Sequence, residues 1–261
     1  MTNKNLKILG VAAIAMVAIL FVPNWKSSQG VVKPVKSDPS AGQMPERAVL
    51  SERDFLKSVF ADVKAPDFVV NAVNEPDSSE LASKAQKWAE ETGSAPLYFY
   101  IEHRKLNEKS NLEEITGYCR DAIFSAISMQ NPDQGTFIAN QAKDWIEKGL
   151  KMNENHVPLL NAQIVYQSEF MNQPMQFLAT LRKTLAIDSM NEETNLIHIN
   201  LLKTSGQLPK AIEKCKKLVS LQPQNSLWMF QLSDAYAMAG DSTSAKTFLD
   251  LAIKQSRNTK K

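Results

Sequence analysis

The chain has 261 residues, of which 43% are hydrophobic and 22% are charged. This composition suits one or two globular domains and excludes a disordered or fibrous protein. Residues 1–26 hold three lysines and no acidic residue, which leaves 27 basic and 28 acidic residues in the rest of the chain. This near-equal number of basic and acidic residues does not indicate a nucleic-acid-binding protein. The nine glycines form none of the phosphate-binding motifs of nucleotide enzymes.

An uninterrupted apolar run occupies residues 8–22. Extended from Leu6 to Trp25 it reaches about 20 residues, and at ~1.5 Å per residue such a helix spans the roughly 30 Å hydrocarbon core of a bilayer. Lys7 and Lys26 flank the run, as expected for residues that reach the membrane interface. We therefore predict that residues 1–26 form a transmembrane signal anchor. A cleaved signal peptide and a buried soluble helix are the alternatives.

The segment after the run is polar. Residues 27–48 are rich in Ser, Pro, Gly and Lys and show no apolar period, which predicts a flexible linker. Lysines on the two sides of the apolar run nearly cancel under the positive-inside rule, but the short N-terminal head favours a cytoplasmic N-terminus. We expect the remaining domain to lie outside the cytoplasm, in the periplasm if the source is a bacterium with two membranes.

From residue 49 onward, apolar residues recur at spacings of three and four, which predicts an all-α body. Ser51 with Asp54 three residues later predicts the N-cap of a first helix. Gly93 and the segment 131–135 predict breaks between consecutive helices. We divide the body into a helical region of degenerate pairs at residues 49–157 and a repetitive region after it.

A period of 34 residues relates the C-terminal helices to one another. At this offset Gly206 aligns with Gly240 and Ala211 with Ala245. Glycine suits the turn of a helix pair, and alanine suits the contact between its two helices. The period predicts three helix–turn–helix units at residues 158–191, 192–225 and 226–257, followed by a tail at residues 258–261.

The pattern resembles the tetratricopeptide repeat (TPR), a 34-residue helix–turn–helix unit. The first unit departs from it, with Asn172 at the turn glycine and Phe177 at the alanine. Upstream, the stripe Ile115, Cys119 and Ala122 and the stripe Ala142, Ile146 and Gly149 resemble the second helices of two further units. The matching residues are Leu232, Ser233, Tyr236, Gly240, Ala245, Leu249 and Ala252 in the last unit, and Leu202, Gly206, Ala211, Cys215 and Pro223 in the middle unit.

The order of a membrane helix, a linker and C-terminal repeats is similar to that of membrane-anchored bacterial TPR proteins of undefined activity. The resemblance implies an α-solenoid of TPR-like helix pairs, attached by a single pass to the bacterial inner (cytoplasmic) membrane. It also implies a concave surface lined by the first helix of each pair, which suits a peptide or a partner helix. We therefore expect a membrane-tethered scaffold that binds a protein or peptide and no nucleic acid.

Transfer of the family's groove positions by register gives candidate binding residues. Asn200 and Lys203 resemble part of the clamp with which some TPR proteins hold a terminal carboxylate, but the set is incomplete. The alternative function is that of an accessory assembly or maturation factor of an envelope or cytochrome-biogenesis enzyme complex. The candidate groove residues are Ala162, Tyr166 and Glu169, then Leu196, Asn200 and Lys203, then Phe230, Asp234 and Ala237.

The titratable residues form no pattern that indicates catalysis. His103, His156 and His198 lie far apart without metal-ligand spacing, and Cys119 and Cys215 lack the C-x-x-C spacing of a zinc or redox site. We expect both cysteines to be small buried residues and His198 to be a hydrogen-bonded interior imidazole. No metal, cofactor or enzymatic activity is expected.

Two further surfaces follow from the repeat register. Lys210, Lys214 and Lys217 lie at i, i+4 and i+7, which predicts a solvated face or, alternatively, contact with anionic lipid or an acidic partner. A terminal repeat lacks a neighbour to cover it, so we expect Phe248 and Leu251 to form an apolar interface with a second copy or a membrane partner. A homo-oligomer is therefore possible.

Overall fold

The computed structural model describes residues 49–74, 79–171 and 174–258, which form twelve α-helices and no β-strand. The all-α prediction is confirmed for this part of the chain. In chain order the helices are α1 (Glu52–Val63), α2 (Asp67–Asn74), α3 (Ser79–Thr92), α4 (Ala95–Lys105), α5 (Leu112–Ser128), α6 (Pro132–Met152), α7 (Val157–Glu169), α8 (Pro174–Ile187), α9 (Glu192–Thr204), α10 (Leu208–Leu221), α11 (Ser226–Met238) and α12 (Ser242–Asn258).

The predicted anchor at residues 1–26 and the predicted linker at residues 27–48 lie outside the described residues. Among the twelve described helices, none combines the length and the apolar character needed to cross a bilayer.

Polar caps fix the starts of several helices. The Ser51 hydroxyl accepts a hydrogen bond from the Asp54 N–H (3.1 Å), which confirms the predicted cap of α1. Asn111 forms a full capping box, since its side chain accepts from the first turn of α5 while the Glu114 carboxylate accepts the Asn111 N–H (3.0 Å). The side chains of Asn191 and Asn225, one repeat apart, each accept a hydrogen bond from a first-turn N–H of α9 and α11. Each cap satisfies backbone N–H groups that have no partner within the helix.

The chain divides into two compact units between residues 178 and 179, within α8. We call the described residues up to 178 the N-unit and those from 179 the C-unit. In the N-unit, α1 packs on α4 and α6, and α4 also contacts α3 and α5. Phe55 of α1 is fully buried there and stacks on Phe137 of α6, with ring centroids 4.1 Å apart. The aromatic contact ties the first helix of the N-unit to its longest one.

Helices α5 and α6 pack tightly against each other, and both contact α7. A Cβ atom added to Gly135 of α6 would lie 2.4 Å from the carbonyl oxygen of Ala126 on α5, so only glycine fits this approach. The Cys119 thiol donates to the Ala142 carbonyl across the same contact (3.5 Å).

This packing corrects the upstream register. The stripe that contains Cys119 lies on α5 and the stripe that contains Ala142 lies on α6, so they belong to the two helices of one pair rather than to the second helices of two units. Apolar spacing alone misassigned the α5 stripe, because both helices of a pair bury a stripe of apolar residues.

The C-unit shows the 34-residue period in its helix bounds. Helices α10 and α11 have the bounds of α8 and α9 shifted by 34 residues, and α12 begins 34 residues after α10. Helix α10 contacts its own first helix α9 and the first helix of the next pair, α11. Helix α12 contacts its own first helix α11, and the first helices α9 and α11 also touch. The C-unit is therefore built of TPR-like helix pairs.

The same turn closes both pairs of the C-unit. Gly206 and Gly240 have φ values of 72° and 83°, a left-handed conformation that costs glycine little. The following N–H reaches back five residues in each case, from Gln207 to the Leu202 carbonyl (2.8 Å) and from Asp241 to the Tyr236 carbonyl (3.0 Å). This hydrogen-bond pattern is the Schellman motif, and the left-handed glycines predicted for the turns are confirmed.

The core of the C-unit forms where one pair meets the next. Ile199 and Cys215 of one pair are fully buried with Trp228 and Leu232 of the following first helix. The Trp228 indole N–H donates to the Gln222 side chain (2.5 Å), so the polar edge of the ring is satisfied at the helix end. The Ser233 hydroxyl of α11 donates to the Ala245 carbonyl of α12 (2.7 Å), which joins the two helices of the last pair.

Gly135→Ala is expected to lower the melting temperature of the full chain, because the new Cβ collides with the Ala126 backbone. Gly117→Ala in α5 is the matched control, since its added Cβ has no atom within 4 Å and it gains up to about 1 kcal/mol of helix propensity. Thermal denaturation followed by circular dichroism compares the two variants. Equal stability of both would contradict the close approach of α5 and α6.

Candidate partner-binding groove

Six of the nine predicted groove residues lie on α9 and α11. On each helix they are spaced i, i+4 and i+7, so they share one side of that helix. Because α9 and α11 are in contact, the two rows are neighbours. The α9 residues are half-buried and the α11 residues are exposed. We call this set the C-unit groove: Leu196, Asn200, Lys203, Phe230, Asp234 and Ala237.

An ion pair joins the two rows of the groove. The Lys203 ammonium donates to Asp234 Oδ2 (2.7 Å) and to Gln231 Oε1 (3.0 Å). The side chain of Lys203 is only 10% exposed, whereas that of Asp234 is 49% exposed. The lysine that resembled part of a carboxylate clamp therefore already has its counter-ion. The charge that the groove presents to solvent is the carboxylate of Asp234.

The other three predicted groove residues lie on α7 of the N-unit. Ala162 is 1% exposed and Tyr166 is buried, with its hydroxyl donating to Asn140 Oδ1 (2.8 Å). Glu169 is exposed. Ala162 and Tyr166 thus offer almost no surface to a partner, and the accessible predicted residues are Glu169 and those of the C-unit groove.

The edge of Tyr166 lines an open cleft of about 310 Å³ in the N-unit. Its polar walls are internally paired, since Lys143 binds the Glu147 carboxylate at 2.9 Å and that hydrogen bond raises the pKa of the lysine. Sequence periodicity gave no signal for this cleft, because its residues come from three separate segments. The lining residues are Val49, Phe137, Asn140, Gln141, Lys143, Asp144 and Tyr166.

The cysteines occupy the apolar positions predicted for them. Cys119 and Cys215 are free thiols and are fully buried. Burial raises the pKa of Cys215 to about 12 and raises that of Cys119 further. Both thiols are therefore protonated and inert at neutral pH.

The histidines differ from one another in their surroundings. His103 lies between the rings of Tyr118 and Trp145, at 6.0 and 6.4 Å. Burial, together with the positive charge of Lys214, lowers the pKa of His198 to about 4, and its buried Nδ1 atom has no hydrogen-bond partner, unlike the bonded imidazole predicted. Within the described ranges no group of three His, Cys, Asp or Glu side chains could hold a metal ion.

The residues predicted for a terminal apolar interface differ in their exposure. Phe248 is half-buried and stacks on Tyr236 of its own pair, with ring centroids 5.7 Å apart. Leu251 is 44% exposed, and Leu249 is 41% exposed. Two residues apart on a helix, these leucines point about 160° away from each other. Only Leu249 aligns with Cys215, the second-helix residue that the following pair covers.

The unequal exposure of Lys203 and Asp234 predicts unequal costs of removing them. Asp234→Ala leaves a mostly buried ammonium with only an amide acceptor, which should cost roughly 1–3 kcal/mol of unfolding free energy. Lys203→Met leaves an exposed carboxylate in water and should be nearly neutral. Urea denaturation of the full chain measures both. If Lys203→Met proves the more damaging change, the assignment of the lysine as the desolvated partner is wrong.

No protein-family model matches the chain, and no curated protein matches it. Two solved structures of MamA are similar in part. The structure of MamA MSR-1 C2 is 12% identical, covers 68% of this chain and 96% of that chain, and has a TM-score of 0.42. A MamA point mutant is 12% identical, with coverages of 67% and 95% and a TM-score of 0.38. Similarity this low establishes neither a shared fold nor a shared function, so the TPR-like architecture rests on the helix bounds, turns and packing of the chain itself.

Proposed function

We propose that this protein is a membrane-tethered interaction scaffold whose C-unit groove binds a segment of a partner protein. The observation that carries the proposal is Phe230, which is 37% exposed on the first-helix side of the C-unit. The neighbouring aromatic residue Trp228 is fully buried, so exposure is not the rule for aromatic residues here. Exposed aromatic side chains are enriched among the residues that contribute most to protein–protein binding.

The residues around Phe230 favour a partner that carries a basic side chain beside an apolar one. Asp234 lies one helical turn from Phe230 and is half-exposed, and Lys203 binds only one of its carboxylate oxygens. A lysine or arginine of the partner would meet the other oxygen, while an apolar side chain covers the ring. Ala237 leaves room for the partner backbone one turn further along.

The tether is the predicted helix at residues 1–26, followed by the linker at residues 27–48. The apolar run and its flanking lysines support single-pass attachment, and the short head supports an extracytoplasmic domain. In a bacterium with two membranes, the groove would then recruit a periplasmic partner or a periplasmic segment of another membrane protein.

A photo-crosslinking residue in place of Phe230, in the full chain within native membranes, tests the groove. Phe68 of α2 is the matched control, because it is a phenylalanine of nearly equal exposure in the N-unit. We expect discrete crosslinked partners at position 230 that are absent at position 68. The same crosslinked products at both positions, or none at position 230, would refute the groove.

The affinity of a partner identified in this way provides a second measurement. Phe230→Ala should weaken binding by roughly 30-fold or more, as expected for a binding residue worth about 2 kcal/mol. Phe68→Ala should leave the affinity unchanged. Melting curves of both variants verify that they remain folded.

Protease accessibility tests the proposed topology. Protease added to intact spheroplasts that produce the full chain should digest the domain after residue 26, while the N-terminal residues stay with the membrane. Mass spectrometry of the mature N-terminus distinguishes an anchor from a cleaved signal. Protection of the domain until the membrane is lysed, or an N-terminus beyond Val22, would overturn the topology.

A further inference from the structure

The two helix layers of the C-unit carry opposite charge. The first helices α9 and α11 hold one lysine, Lys203, and three acidic residues. From residue 179 onward, the second helices hold nine basic and two acidic residues. The basic residues are Arg182, Lys183, Lys210, Lys214, Lys216, Lys217, Lys246, Lys254 and Arg257, and the acidic residues are Glu213 and Asp250.

Helix α10 concentrates this charge on one side. Lys210, Lys214, Lys217 and Leu221 follow each other at i, i+4, i+7 and i+11, a spacing that aligns them along the helix. In the part of the chain that the structure describes, none of these three lysines forms a salt bridge. Partial burial lowers the pKa of Lys214, and the positive charge of Lys217 lowers it further. An anion beside this row would relieve the repulsion.

Exposed aliphatic side chains accompany the lysines. Leu221 at the end of the α10 row is 55% exposed, and Ile187 holds the same repeat position in α8 and is 42% exposed. Leu251 on α12 aligns with Lys217 and is 44% exposed. Each second helix therefore presents an exposed aliphatic residue on its outer side, together with basic residues nearby.

We propose that the outer side of the second helices, which we call the basic layer, docks on a membrane surface that carries anionic phospholipid headgroups. Lys210, Lys214 and Lys217 contact the phosphates, and Leu221 enters the headgroup region. Mixed basic and aliphatic surfaces bind such membranes because ammonium groups attract lipid phosphates while apolar side chains leave water. Sites for single-stranded nucleic acids instead combine basic residues with exposed aromatic rings for stacking, and the α10 row contains none.

The docking is independent of the groove, which lies on the other helix layer. A tether increases the local concentration of the basic layer at the membrane, so that weak contacts suffice. A docked C-unit turns its acidic first-helix layer, with Asp234 and Phe230, away from the lipid. The membrane contact thus leaves the groove accessible.

A fluorescence experiment on the full chain tests the proposal. An environment-sensitive thiol dye is attached to a Leu221→Cys variant, and the native thiols stay unlabelled because Cys119 and Cys215 are buried. The labelled chain is reconstituted in vesicles of phosphatidylcholine, alone or mixed with phosphatidylglycerol. We expect a blue shift and protection from aqueous iodide only in the anionic vesicles, both reversed by high salt. A dye at Ala237→Cys on the groove side should show neither change.

Two charge-matched variants locate the contact. Lys210→Gln, Lys214→Gln and Lys217→Gln together should reduce the ratio of docked to undocked protein roughly 100-fold, since each lysine contributes about 1 kcal/mol at an anionic surface and 1.4 kcal/mol is tenfold. The control combines Lys57→Gln, Lys109→Gln and Lys151→Gln, three exposed lysines of the N-unit, and should dock normally. Circular dichroism melts verify that both variants are folded.

Three outcomes would overturn the proposal. The first is an equal response of the Leu221 dye in neutral and anionic vesicles. The second is an equal loss in the two triple variants, which would indicate an effect of net charge alone. The third is a dye that responds to a single-stranded oligonucleotide or to polyglutamate but not to vesicles, which would assign the basic layer to a nucleic acid or an acidic protein.

Discussion

The structure depends on how closely its helices approach one another. A helix pair cannot bury its apolar sides alone, so each second helix must fit between its own first helix and the next one. Small residues make this possible, because side-chain size at the contact sets the distance between helix axes. Ala211 and Cys215 of α10 have no exposed surface, and Gly135 of α6 touches backbone directly. Small side chains at these contact positions therefore allow the helices to pack closely.

Because of this packing, the first and second helices of the C-unit expose different kinds of side chain to solvent. Helix α10 is held by α9 and α11 and keeps only an outer side in water, where lysines and Leu221 lie. First helices keep a different side in water, and that side holds an aromatic ring and a carboxylate. The ion pair between Lys203 and Asp234 connects the adjacent first helices α9 and α11. The same Asp234 carboxylate is the charge that the groove presents to solvent.

Local signals in the sequence predicted the local structure well. The cap at Ser51 and the left-handed turns at Gly206 and Gly240 depend on residues close together in the chain, so pattern and propensity suffice to find them. The 34-residue period follows from comparing the sequence with itself. The stripe on α5 was assigned to a second helix although α5 is the first helix of its pair with α6, because burial on one helix does not reveal which neighbour covers it.

The candidate site depended on contacts that the sequence does not show. Lys203 meets a carboxylate 31 residues away in the next repeat, and no spacing rule within one helix could indicate that pairing. Register transfer also placed Ala162 in a groove, although neighbouring helices bury it. His198 was expected to be hydrogen-bonded, but it aligns with Leu232, a position whose surroundings are apolar. In each case a tertiary neighbour decided the outcome.

The placement of the two cysteines has a practical consequence. Cys119 belongs to the N-unit and Cys215 to the C-unit, and each is sealed in the contact between helices of its own unit. A buried thiol reacts with an alkylating reagent only when its surroundings open. The rate of modification at each cysteine would therefore report the opening of one unit separately from the other, in the unaltered protein and without an added label.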